Sequence, residues 1–159
     1  MAESPKTYER CEVTLVRVLD APREAVFRAW TDPEHLAKWW GPKGFTAPLC
    51  EADARPGGRI RILMRAPDGS DHPMSGEFIE VVPPERVSWI AWPEDLEGFR
   101  YAETHTRVTF EEEPGGKTRM TLNSRAVAFI PMGEEMERGM NQGWAESLAR
   151  LGELVEAKA

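Results

Sequence analysis

The feature that most constrains this chain is a succession of strand-like segments closed by one long amphipathic helix. Residues 119–127 alternate cleanly, with Met120, Leu122, Ser124 and Ala126 on one side and Arg119, Thr121, Asn123 and Arg125 on the other. That is the pattern of an antiparallel strand with one face buried. Residues 59–64 repeat it, with Ile60, Ile62 and Met64 on one face and a row of arginines, Arg59, Arg61 and Arg65, on the solvated side. Over residues 132–157 the period changes. Met136, Met140, Trp144, Leu148, Leu151 and Val155 recur at spacings of 3 and 4, while Glu137, Arg138, Gln142, Glu146 and Arg150 fill the other side. This predicts an amphipathic helix.

The remaining segments fall into place around these. Strands are predicted over residues 9–19, 46–53, 74–82, 87–92 and 104–111. Pro67-Asp68-Gly69, Pro83-Pro84-Glu85 and Pro114-Gly115-Gly116 separate them, each a turn in which Pro presets φ or Gly accepts a positive one. Two short helices follow the first strand. Pro22 suits the first turn of one, which carries Val26, Phe27 and Trp30 and ends near Thr31. Asp32 caps the other, with Pro33 at its first position. Leu36, Trp39 and Trp40 form its apolar stripe, and Gly41-Pro42 stops it.

Width then dictates shape. Seven strands at ~4.8 Å spacing span ~29–34 Å. A helix of ~26 residues is ~39 Å long but only ~10–12 Å across. A flat sheet would leave most of its apolar face wet, so the sheet must curl around the helix, and the curl leaves space between them. The expected fold class is α+β: a curved seven-stranded antiparallel sheet around a long C-terminal helix, with two short helices after the first strand. At 159 residues the whole chain, 1–159, is expected to form one domain.

Charge narrows the partners. The net charge is −7, which disfavours nucleic-acid backbones and anionic membrane surfaces. No apolar run reaches 18 residues, and residues 1–10 lack the apolar stretch of a secretory signal, so the expected location is cytoplasmic. Cys11 and Cys50 stand apart with no CxxC, and are read as buried reduced thiols.

Four stretches carry a family resemblance: "DAPREAVFRAWTDPEHLAKWWGPKGF" (20–45), "GEFIEVVPPERVSW" (76–89), "TRVTFEEEPGGKTRMTL" (106–122) and "GWAESLARLGELV" (143–155). Together they resemble the homologues of the activator of Hsp-90 ATPase, within the START-like or SRPBCC superfamily, whose helix-grip fold is also that of the birch pollen allergen. The resemblance implies a hydrophobic cavity for lipids, polyketides or other apolar ligands, used in some branches for cyclisation or hydrolysis. It supplies no catalytic motif.

The candidate site follows from the apolar faces. A small apolar or aromatic molecule is expected between the sheet (Ile60, Ile62, Met64, Trp89, Phe110, Met120, Leu122), the second short helix (Trp39) and the last helix (Met136, Met140, Trp144). Aromatic side chains offer apolar area with few rotors, and methionines an adaptable wall. Phe27, Trp30, Trp40 and Trp92 complete the aromatic set. A cyclase- or hydrolase-type enzyme is the alternative, with His105, Ser124 and Tyr101 as polar candidates and His105, which has no evident partner, as the acid/base. The third reading, a protein interacting with an Hsp-90 homologue, comes from the family name alone. Gly115-Gly116-Lys117-Thr118 ends like a P-loop, but Glu111 replaces its first glycine and a strand follows. It is read as a hairpin turn. No cofactor and no metal site are expected, and monomer and homodimer are both left open.

Overall fold

The computed structural model describes residues 7–156. Ten elements follow in order: β1 (Arg10–Leu19), α1 (Arg23–Thr31), α2 (Pro33–Trp39), β2 (Thr46–Ala52), β3 (Arg59–Arg65), β4 (Asp71–Val82), β5 (Arg86–Pro93), β6 (Ala102–Glu113), β7 (Lys117–Ala128) and α3 (Glu135–Glu156). The strands form one curved seven-stranded antiparallel sheet in the order β1-β7-β6-β5-β4-β3-β2. From β2 to β7 each strand pairs with the next in sequence. The crossover between the two edges, from β1 to β2, is made by α1 and α2.

The expected elements form, with differences at their ends. β4 begins at Asp71 rather than at residue 74, running through Pro73. Pro73 is tolerated because its carbonyl accepts from Glu94 N on the β5 side. Its missing N–H faces the same side, so no bond to β3 is lost. α3 begins at Glu135, three residues later than the period suggests, because Gly133 holds φ +64° and cannot continue a helix. Ala157, the predicted helix end, lies outside the described residues. Pro22 sits at the N-cap of α1 with ψ 150°, one position before the predicted first turn. Asp32 caps α2 as expected, its side chain accepting from Glu34 N at 3.0 Å, with Pro33 next.

The core lies between the inner face of the sheet and the three helices. Trp30, Trp39, Phe110, Ile62, Met120, Leu122, Leu148 and Leu151 are its largest fully buried side chains. Aromatic rings dominate one end. Trp30 stands 4.6 Å from Trp39, 5.5 Å from Trp89 and 6.0 Å from Trp144, centroid to centroid. Removing such a ring from a core costs about 3–5 kcal/mol. A smaller cluster of Ala126, Ala128 and Met136 holds the start of α3. Thr106 and Ser124 are the polar pair on the inner face, their hydroxyls 2.8 Å apart and buried.

Candidate functional site

Where α3 passes the loop after α2, the surface opens into an apolar cleft of about 210 Å³. One wall is α3, with Gly139, Met140, Gly143, Trp144 and Ser147. The other is Trp40, Gly41 and Pro42, and Met64 from β3 lies between. Gly139 and Gly143 are four apart, so they share one side of the helix. A methyl group added at Gly139 would meet nothing within 4 Å, and one at Gly143 would meet only Pro42 Cγ, at 3.8 Å. Packing therefore does not require these glycines. They leave the space open.

The facing loop is held from α3. Arg150 Nη1 donates to the carbonyls of Trp40 (3.3 Å), Gly41 (2.9 Å) and Pro42 (3.1 Å), and its Nη2 to that of Lys38 (3.2 Å). A guanidinium suits this place, since the last carbonyls of α2 lack helical partners and carry the negative end of its dipole. Lys43 N adds a bond to Glu146 Oε1 at 2.9 Å. The Glu146 carboxyl is held below its usual range first by Gln142 and then by this amide. Gly41 takes φ +102°, and a Cβ there would stand 2.9 Å from Met64 Sδ, so the loop needs its glycine on both counts. Alternation alone puts Arg150 on the solvated side of α3. Its long stem instead reaches the loop.

Beside Trp40 lies a second, inner space of only about 10 Å³, lined by Trp30, Leu36, Trp40, Ile60, Ile62, Met74, Phe78 and Trp89. The expected site residues therefore divide. Met64, Met140 and Trp144 line the cleft. Ile60, Ile62 and Trp89 line the inner space. Trp39, Phe110, Met120 and Leu122 line neither and are fully buried in the core. Trp39 is fixed there by its indole N–H, 2.8 Å from the Ala29 carbonyl, and Trp30 by its own, 3.3 Å from Met120 Sδ. Met136 belongs to the small cluster against β7. One large internal container is thus not what the sheet and helix enclose, because indole rings fill the room between them.

The acid/base candidates do not converge. Thr106 and Ser124 face the core, whereas His105, one residue from Thr106, points to the outer face. There it does have a partner: His105 Nε2 is 3.0 Å from Glu103 Oε2, while Trp92 Nε1 donates to Glu103 Oε1 at 3.0 Å. These contacts, His105 first, hold the Glu103 carboxyl below its usual range. Trp92 also carries the Arg100 guanidinium 4.1 Å from its ring centroid, so it is an outer-face residue and no part of the cleft. Tyr101 is half-buried, and burial, with Asp95 second, pushes its phenol up. The outer face has wider depressions, of about 550 Å³ by Arg59, Glu77 and Arg100 and about 470 Å³ by His105 and Arg125, both mixed in charge. Neither cysteine is in a disulfide. Burial pushes the Cys50 thiol up to about 11, and Cys11 Sγ lies 2.9 Å from Met140 Sδ. Among the described residues no cluster of three potential metal ligands occurs, and no helix is long and apolar enough to cross a membrane.

A curved antiparallel sheet gripping a C-terminal helix, with an apolar cleft where the grip loosens, defines a helix-grip protein of the START-like class. Within that class the chain belongs to the family described as activator of Hsp90 ATPase homolog 1-like protein, which it matches over residues 20–156. Among solved structures it is similar to protein CV1439 from Chromobacterium violaceum, with 32% identity, a TM-score of 0.80, and 92% of this chain and 98% of that one covered. The AHSA1 protein from Silicibacter pomeroyi shares 29% identity with a TM-score of 0.75, over 89% of this chain and 95% of its own. A protein from Arthrobacter aurescens shares 26% identity with a TM-score of 0.81, over 93% and 87%. No curated protein matches the chain significantly.

Proposed function

We propose that this protein binds a small apolar ligand, an aromatic ring system above all, in the cleft between α3 and the loop after α2. The observation that supports it most directly is the pair Gly139 and Gly143. Glycine in a helix interior costs about 1 kcal/mol relative to alanine. Here two of them face a space with almost nothing opposite. The walls offer two indoles and two thioethers, and the nearby carbonyls of residues 40–42 are already engaged by Arg150. A cleft of about 210 Å³ is below the roughly 300–1,000 Å³ of drug-sized pockets, which favours a ligand of one or two rings.

The test is a titration with 2-naphthol followed by the tryptophan indole N–H resonances. Saturable shifts at Trp40 and Trp144 are expected, with Trp92 on the outer face unmoved. Uniformly flat resonances up to the solubility limit would refute the reading. The enzymatic alternative loses support, since His105 and Ser124 lie on opposite faces of the sheet.

A further inference from the structure

We infer that Trp40 is a movable partition, and that its rotation joins the cleft to an inner subsite which receives the ring of a flat, uncharged aromatic ligand. The inference rests on the ligand-binding reading above and assigns that ligand a depth and a charge.

Among the described residues Trp40 is the one that lines both spaces. On one side it meets the cleft with Met64 and Trp144, and on the other the small inner space lined by Ile60, Ile62 and Trp89. Its backbone and its ring are held very differently. The carbonyls of Lys38, Trp40, Gly41 and Pro42 are bound by Arg150, so the main chain is fixed. The Trp40 indole N–H, like those of Trp89 and Trp144, has no hydrogen-bond acceptor among the described residues, in contrast to the anchored Trp30 and Trp39. The ring, buried at the edge of the core, is kept in place by packing without a polar anchor, with ring neighbours at 5.7 Å (Trp39), 6.3 Å (Trp89) and 5.6 Å (Trp144). A planar ligand entering from the cleft can replace those contacts in kind, so the swing exchanges aromatic partners rather than forfeiting them. Methionines stand on both sides, Met64 in the cleft and Met74 in the inner space, and their unbranched side chains re-pack readily.

The chemistry of the inner space sets the ligand class. No charged side chain lines it, and Leu36, Ile60, Ile62 and Phe78 are wholly apolar. A dry apolar cavity on the order of 150 Å³ is enough to hold benzene. The resting space is far smaller, so it becomes a site only when the Trp40 ring leaves. A charged substituent would meet an uncompensated desolvation cost there and must stay in the cleft.

The experiment is intermolecular NOE measurement on the wild-type protein with methyl-labelled isoleucine, using 2-naphthol and, separately, 2-naphthoate. The uncharged compound is expected to show NOEs to the methyls of Ile60 and Ile62 as well as to Trp144. The carboxylate should show only the Trp144 contacts. NOEs from 2-naphthol confined to Trp144 and Met140 would overturn the inference while leaving the cleft reading intact. No NOE from either compound would overturn both. As a second measurement, Trp40→Phe should speed 2-naphthol association by about tenfold if ring rotation limits access. An unchanged association rate would count against the partition.

Discussion

Arg150 Nη1 on α3 stands 2.9 Å from the carbonyl oxygen of Gly41, and among the described residues no carboxylate shares the guanidinium. Four backbone carbonyls do the work of a counter-ion. The end of α2, the loop behind it and the grip helix are thereby joined at one point.

Replacing Arg150 should therefore destabilise the fold well beyond a surface substitution. Arg150→Gln leaves carbonyls of Lys38, Trp40, Gly41 and Pro42 short of donors, at a cost of about 2–3 kcal/mol. Arg150→Lys should recover only part of this, because an ammonium cannot fork across several acceptors. Urea unfolding with an unchanged m-value checks both.

Gly139→Leu should move stability and binding in opposite directions. The helix gains propensity, about 0.8 kcal/mol, and the new side chain meets no neighbour at its Cβ. Yet it projects into the cleft. A higher midpoint in denaturant together with loss of 2-naphthol binding is expected. Retained binding would show that the ligand sits elsewhere.

Acid sensitivity should trace in part to Glu103. Its carboxyl, ordinarily near 4.5, is lowered in the folded protein. A lowered folded value means the contribution is complete above the unfolded value and is lost as pH falls through the folded one. Glu103→Gln should cost a few tenths to about 1 kcal/mol at pH 7, given its partial exposure. The difference from wild type should vanish below the lowered folded value, as measured by urea unfolding across that range.

Cys50 should react slowly. With its thiol near 11, only about a thousandth is thiolate at pH 8. Its alkylation by iodoacetamide, followed by mass spectrometry, should quicken about tenfold per pH unit up to that value. A plateau near pH 9 would contradict the burial seen here.

Periodicity read the fold closely because it depends on which face each residue takes. Ile60, Ile62, Met120 and Leu122 all point inward as alternation requires. It could not read depth. Trp39 and Trp40 are adjacent and both apolar, yet one is pinned to the Ala29 carbonyl inside the core and the other borders the cleft. Comparing sheet width with helix width counts backbones and ignores the volume of indole rings, which is why the expected container is nearly full. Two further features are legible in the sequence. Glu103 and His105 are two apart on a strand and so share a face. Gly139 and Gly143 interrupt the apolar side of α3 one turn apart. The reach of Arg150 left no trace in the pattern, since a long side chain chooses its partner only after the helix is docked.

The sheet order also has a consequence for synthesis. β2 to β7 form a meander in which each strand finds its partner next along the chain. β1 does not: Leu19 pairs with Thr118 and Arg10 with Val127. At about 5–20 residues per second, the ribosome needs roughly 5–20 s to make the hundred or so residues between them. Throughout that time Val16 and Val18, exposed even in the finished protein, travel on a strand with no neighbour. The strand made earliest in the sheet is paired only after all the others exist, and for those seconds both of its edges are open.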